Sequence, residues 1–243
     1  MSLLISSIIY AQKNYFWTEA GYKYPIYKTN VLFSGNSYGQ SIQTAFNVVK
    51  NRDVLLSYGY GRLISKSLSL ETGVTYNRYK FSYDYFSKKG LFVYPDFFAI
   101  ELPVRLVYSY KIKKINTSIN LGVGQAINLI GIKTLPQGFS PAYGIYIKGQ
   151  DTVYDSNHSA LEKDIFRLTQ FSVGINKSIG KKFQIGLISK YSFGSKNIFR
   201  SQIAYSINDD RHNNPGPNPR YGTILVTTKG NYYNFSLIGS YKF

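Results

Sequence analysis

Along most of this chain apolar and polar residues alternate with period two. In FAIELPVRLVYSY, residues 98–110, every even position is apolar or aromatic (Phe98, Ile100, Leu102, Val104, Leu106, Tyr108, Tyr110), while the odd positions include Glu101 and Arg105. Successive side chains of a strand point to opposite faces, so this segment predicts a strand with one apolar face and one face that carries charge. The next segment, INTSINLGVGQAINLIG, sets Ile115, Thr117, Ile119, Leu121, Val123, Ile127 and Leu129 against Asn116, Ser118, Asn120, Gly122, Gly124, Ala126 and Asn128. That alternation runs for about 15 residues. A soluble strand has about five or six residues, whereas a tilted membrane strand needs about 9 to 11.

The unit repeats as hairpins. LLSYGYGRLI (55–64) turns at Ser65-Lys66 into SLSLETGVTY (67–76), and FSVGINKSI (171–179) turns at Gly180-Lys181 into KFQIGLISKYSF (182–193). These turns are tight, as is KIKK between the two strands described first. The opposite ends carry long connections at 84–97, 134–163 and 201–220, the last rich in Asn, Pro and Gly. Short turns on one side and long loops on the other are the asymmetry of an outer-membrane barrel.

Counted this way, strands fall near 54–64, 67–83, 97–112, 115–132, 164–179, 182–199 and 222–243. An eighth must run upward before residue 54 if both termini lie on the short-turn side. TEAGYKYPIY (18–27) and SIQTAFNVV (41–49) are the candidates, and the second is preferred because Ile42, Phe46 and Val48 alternate with Gln43 and Asn47. The expected fold is therefore all-β, an eight-stranded antiparallel transmembrane β-barrel with up-and-down connectivity. Its interior would be nearly filled by side chains.

Alternation does not say which face is inside. Here the polar face holds Gly, Asn, Ser and Thr with charges of both signs, which suits a narrow lumen. Aromatic residues gather near strand ends (Tyr76, Tyr108, Tyr110, Tyr191, Phe193, Tyr241, Phe243), as in interfacial girdles. Both features favour an apolar face turned out to lipid.

Composition sharpens this picture. The chain has 24 Tyr and 16 Phe, a net charge of +17 and no cysteine. The charge fits an anionic membrane surface, but the basic residues are dispersed and no nucleic-acid motif accompanies them. Disulfides, Cys-based zinc sites and thiol catalysis are excluded. The opening MSLLISSIIYAQ has an apolar stretch of signal-peptide length and a small residue at Ala11 but lacks a basic n-region. The expected organisation is thus a residual signal peptide at 1–12 followed by one barrel domain at 13–243.

In order, LSLETGVTY (68–76), IELPVRLVYSYKI (100–112), INLGVGQAINLIG (119–131), KFQIGLISKYSFGSKNIF (182–199) and FSLIGSYKF (235–243) resemble the small outer-membrane β-barrel family of Bacteroidota, the outer membrane protein β-barrel domain group. The resemblance covers residues 54–243. Tyr241 and Phe243 match the C-terminal assembly signal of outer-membrane proteins, although the glycine common in that pattern is displaced to Gly239. The resemblance implies insertion by the outer-membrane assembly machinery and residence in a Gram-negative outer membrane. Lipid and lipopolysaccharide would surround the barrel, and both termini would be periplasmic. It implies no single activity.

Candidate chemistry is sparse. Glu71, Glu101, Arg105 and Lys190 fall on the expected lumen face and read as an ion network that fills the barrel. Glu101 and Arg105 are about 13 Å apart along one strand, so each needs a partner from another strand. In the long connections, Asp155, His158 and Ser159, and Asp209, Asp210 and His212, offer acid, base and hydroxyl groups. DSNHS lacks a nucleophile elbow and DDRH lacks a known metal-ligand spacing, so neither group commits to catalysis or metal binding. No cofactor is implied. The expected role is structural or interactive, in a porin-like scaffold with a plugged lumen. The alternatives are an accessory barrel of a larger complex such as the type 9 secretion machinery, or a lipid hydrolase or acyltransferase acting at the rim.

Overall fold

The computed structural model describes residues 14–36, 46–49, 52–85, 88–134, 152–161, 164–208 and 220–243. In chain order the strands are β1 (Asn14–Pro25), β2 (Lys28–Asn36), β3 (Phe46–Val49), β4 (Asp53–Leu63), β5 (Leu68–Tyr85), β6 (Lys88–Ile112), β7 (Thr117–Thr134), β8 (Thr152–Leu161), β9 (Ile165–Ile179), β10 (Phe183–Phe193), β11 (Phe199–Asn208), β12 (Arg220–Thr228) and β13 (Tyr232–Lys242). Eight of these form the barrel, in the order β1-β4-β5-β6-β7-β9-β10-β13, and β13 pairs with β1 to close it. Every pairing is antiparallel. The connections at one end are short: a bend at 64–67, a 3-10 turn at Lys113–Ile115 and a turn at 180–182.

Register gives the barrel its stagger. Starting at Tyr15 and stepping across hydrogen-bonded neighbours, the path runs through Gly61, Glu71, Arg105, Gly124, Gln170, Ser192 and Tyr232. It then returns to β1 at Pro25, ten residues beyond its start. Such a shear tilts the strands by roughly 35–45° and leaves a lumen that side chains can fill. All eight positions before the return lie on the inner face.

The outer face of the wall is apolar. Leu56, Tyr58, Leu106, Leu121, Val173, Leu187 and Leu237 are each more than two-fifths exposed. On β4 the apolar run is bounded by Arg52 and Arg62, and on β9 by Arg167 and Lys177, ten residues apart in each case. Ten residues of a strand tilted by about 40° span about 25 Å in height, the thickness of the apolar band of a membrane barrel. Aromatic rings pack along the band's edge at the short-turn end, where Phe16 stacks on Phe243 at 5.0 Å and Phe183 meets Tyr241 at 4.9 Å.

Three sequence expectations are corrected here. The strand before residue 54 is β1, which spans most of the TEAGYKYPIY candidate; of the preferred 41–49 segment, Phe46–Val49 instead form β3, paired with the far end of β5. The connection expected at 84–97 is largely strand, because β5 and β6 continue pairing to Tyr85 and Lys88, and those expected at 134–163 and 201–220 contain β8 and most of β11. The single strands expected at 182–199 and 222–243 are each broken, β10 from β11 by residues 194–198 and β12 from β13 by residues 229–231. At the second break Gly230 adopts φ +76°, a left-handed conformation that favours glycine.

At these breaks β2, β12, β11 and β8 leave the wall as a separate four-stranded sheet. There the polarity reverses. Phe199, Ser201, Ile224, Val226 and Thr228 are buried on one face, and Lys28, Asn30, Arg200 and Gln202 are exposed on the other. With Tyr79, Phe97, Phe166, Leu168 and Ile198 the buried face forms an apolar core at the long-connection end of the lumen. Tyr79 stacks on Phe97 at 5.0 Å and meets Phe166 edge-on at 6.2 Å.

Candidate functional site in the barrel interior

Below that apolar core the lumen is polar and charged. Arg105 on β6 and Glu71 on β5 are direct cross-strand partners in register, and Arg105 Nη2 lies 2.8 Å from Glu71 Oε2. Tyr15 of β1 donates its hydroxyl proton to the other carboxylate oxygen, Oε1, at 2.6 Å. The Arg105 guanidinium also sits over the Trp17 ring, 4.7 Å from its centroid. Trp17 is almost wholly buried, and its space is made by glycines on two neighbouring strands: a Cβ at Gly59 or Gly73 would lie 2.5 or 2.7 Å from Trp17 Cζ2. The small residues of the sequence pattern thus make room for one large indole.

A second ion pair joins Lys190 on β10 to Glu19 on β1, with Nζ 2.7 Å from Oε2. Asn234 on the intervening strand β13 donates to the remaining Glu19 oxygen at 3.0 Å and to Ser236 Oγ at 2.8 Å. Both charges are almost completely buried, a location that disfavours ions unless their lone pairs and protons are satisfied. Lys190 and Asn234 between them occupy both Glu19 oxygens.

Glu101 is held differently. Asn77 Nδ2 donates to Oε2 at 2.9 Å, Gln170 Nε2 donates to Oε1 at 2.7 Å, and the Tyr232 hydroxyl lies 3.0 and 2.9 Å from the two oxygens. Tyr232 comes from β13 and Glu101 from β6, strands on opposite sides of the eight-stranded ring, so these side chains meet across the lumen. Lys23 completes the layer. Its Nζ is 3.6 Å from the Tyr79 ring centroid and 5.3 Å from that of Tyr232, a cation–π arrangement in a desolvated position.

Toward the short-turn end the packing opens into a polar cavity of about 70 Å³, with Tyr15, Trp17 and Glu71 at its inner end and Lys66, Lys111 and Lys242 among its lining residues. The interior therefore has three levels: an apolar core, an ion-paired middle, and a small polar vestibule.

No known family model and no curated protein matches this chain. Solved structures do. The outer membrane protein OprG from Pseudomonas aeruginosa superposes with a TM-score of 0.51 at 15% identity, covering 95% of this chain and 96% of that one. The chain has the fold of a small eight-stranded outer-membrane barrel. Neisserial surface protein A (NspA) gives a TM-score of 0.46 at 10% identity, covering 94% and 97% of the two chains. The outer membrane protein AlkL gives 0.42 at 16% identity, covering 94% and 90%.

Of the residues singled out from the sequence, Glu71, Glu101, Arg105 and Lys190 all lie inside the barrel, within 8% of full burial. The structure brings Glu71 and Arg105 together, pairs Lys190 with Glu19, and surrounds Glu101 with neutral donors. Tyr241 and Phe243 sit at the closing seam: Tyr241 is opposite Phe16 in register, and the Phe243 amide donates to the Asn14 carbonyl at 3.0 Å. Asp155, His158 and Ser159 fall on β8, opposite Tyr205, Gln202 and Ser201 of β11. Asp209, Asp210 and His212, and the leader at 1–12, lie outside the described residues. Among the described residues no group of three His, Cys, Asp or Glu side chains is placed to hold a metal ion.

Sequence reasoning missed Glu19, Lys23, Tyr15, Trp17, Gln170 and Tyr232. A signal was available. Glu19 and Lys23 share a face with Tyr15 and Trp17 in a segment whose even positions are Phe16, Thr18, Ala20 and Tyr22.

Proposed function

We propose that the protein is an integral outer-membrane β-barrel of a Gram-negative bacterium that works as a structural and interaction scaffold, with a lumen closed at mid-height. The observation that carries this reading is the inversion of the wall, apolar outward and ion-paired inward. That arrangement is stable where lipid covers the outside and would leave a soluble protein with an apolar surface far larger than monomers tolerate. The closed ring removes every free sheet edge at membrane depth, where an unpaired backbone group costs several kcal/mol. In this reading the short turns and both strand ends face the periplasm. The long connections and the four-stranded sheet stand outside the membrane and offer surface to lipopolysaccharide or other outer-membrane proteins. The Tyr232–Glu101 contact across the ring and the two ion pairs support closure rather than a wide pore.

Membrane fractionation with a heat-modifiability gel tests the barrel, and conductance in planar bilayers tests closure. A mobility shift on boiling with no stable single-channel steps is expected. Fully soluble protein with no shift contradicts the membrane reading, and steady large-conductance steps contradict the plug.

A further inference from the structure

The acidic and basic residues of this chain are segregated along the barrel axis. Among the described residues Glu19, Glu71 and Glu101 lie in the lumen, Asp53 is buried opposite Lys23 near its long-connection end, and Asp84, Asp96, Asp155 and Asp164 belong to the long-connection end. Among the described residues the turns at the short-turn end carry no Asp or Glu. They carry cations instead: Arg62 and Lys66 at the first turn, Lys111, Lys113 and Lys114 at the second, and Lys177, Lys181 and Lys182 at the third, all exposed. Lys242, half-buried, adds a ninth at the seam; with Lys66 and Lys111 it also lines the interior cavity, so these three stand on the lumen side of the ring. The nine form a ring around the barrel rather than a patch on one side, because each turn lies at a different point of its circumference.

Two further features fix what this ring is suited to bind. The turns are short, so their lysines remain level with the end of the apolar band instead of projecting far beyond it. Lys182 also extends back along the aromatic edge, with Nζ 5.7 Å from the Tyr241 ring centroid and 3.4 Å from its hydroxyl oxygen. That is the posture of a cation lying along apolar surface with its charge at the polar boundary. A ring of cations at this height, next to interfacial aromatics and with no acidic side chain among the described residues of the turns, matches a layer of lipid phosphates.

We propose that the short-turn end is a binding collar for anionic phospholipid headgroups in the leaflet it faces. The proposal rests on the membrane-barrel reading above. The collar selects phospholipid bearing net negative charge over zwitterionic lipid of the same chain length, and it holds the barrel vertically by fixing one edge of the apolar band.

Native mass spectrometry tests this on detergent-purified protein already shown to be heat-modifiable, titrated with phosphatidylglycerol or with phosphatidylcholine of identical acyl chains. The native chain is expected to retain phosphatidylglycerol at least about tenfold more than phosphatidylcholine. The variant Lys113→Gln/Lys114→Gln/Lys181→Gln/Lys182→Gln is expected to retain both lipids about equally. A control carrying Lys28→Gln, Lys196→Gln, Arg200→Gln and Lys229→Gln, at the other end, should keep the preference. Equal retention of the two lipids by the native chain overturns the collar, as does an undiminished preference in the turn variant. Inorganic phosphate that displaces the lipid at equal concentration overturns the assignment to a leaflet. Protein that shows no mobility shift on boiling fails at the earlier step and removes the membrane reading itself.

Discussion

The barrel wall and the four-stranded sheet above it are both built from antiparallel strands of alternating pattern, yet they bury opposite kinds of side chain. In the wall, Leu56, Leu121 and Leu237 face outward while Glu71, Arg105 and Lys190 are buried. In the sheet, Arg200 and Gln202 face outward while Phe199, Ile224 and Val226 are buried. The same alternation has been read in two senses. A strand places every second residue on each face whatever its surroundings, so the sign of the pattern reports the solvent outside. Where the outside is lipid, apolar residues go out and the inside must satisfy its own polar groups; where it is water, the ordinary rule returns. The change occurs near the breaks at 194–198 and 229–231, which on this account mark the level where lipid ends.

Four substitutions separate the two regions. Arg105→Ala should have the largest effect, because it leaves the buried Glu71 carboxylate without its cation; unfolding in detergent should register a loss of about 3–5 kcal/mol. The companion double variant Glu71→Gln/Arg105→Met, which removes both charges, should recover most of that loss. In the apolar core Leu168→Ala should cost about 2–5 kcal/mol through lost burial and the cavity left behind, with no such rescue available. On the outer face of the wall Leu56→Arg, within the apolar run between Arg52 and Arg62, should cost about 2–4 kcal/mol for folding into bilayers. The matching change on the sheet, Gln202→Arg, should stay within about 0.5 kcal/mol. A Gln202→Arg penalty as large as that of Leu56→Arg would erase the distinction between the two outer surfaces.

The strands that read clearly from sequence are those whose outer face is a clean apolar row, such as β6 with Ile100, Leu102, Val104 and Leu106. β1 ranks behind the 41–49 segment in sequence for a physical reason. Its outward positions include Thr18 and Ala20, while two of its largest residues, Tyr15 and Trp17, point inward to fill the lumen, so the contrast between faces is weak. The upper parts of β5 and β6 read as a connection because SKKG at 87–90 and the Pro95-Asp96 pair are turn-forming residues, although backbone pairing continues to Tyr85 and Lys88. Charged lumen residues could be named from alternation, but not their partners. Pairing Lys190 with Glu19 spans 171 positions of sequence and depends on a closure that alternation does not encode. Glycines such as Gly59 and Gly73 read from sequence as room for lumen side chains, but alternation does not tell that Trp17 is the side chain that fills it.

The central claim is that lipid covers the wall and water covers the sheet. Because the chain has no cysteine, a single spin label can be placed at Leu56→Cys or at Gln202→Cys without altering any native thiol. In liposomes, power-saturation EPR should find the label at position 56 accessible to oxygen and shielded from a water-soluble nickel chelate, and the label at position 202 the reverse. Equal accessibility to the chelate at the two positions would contradict the account.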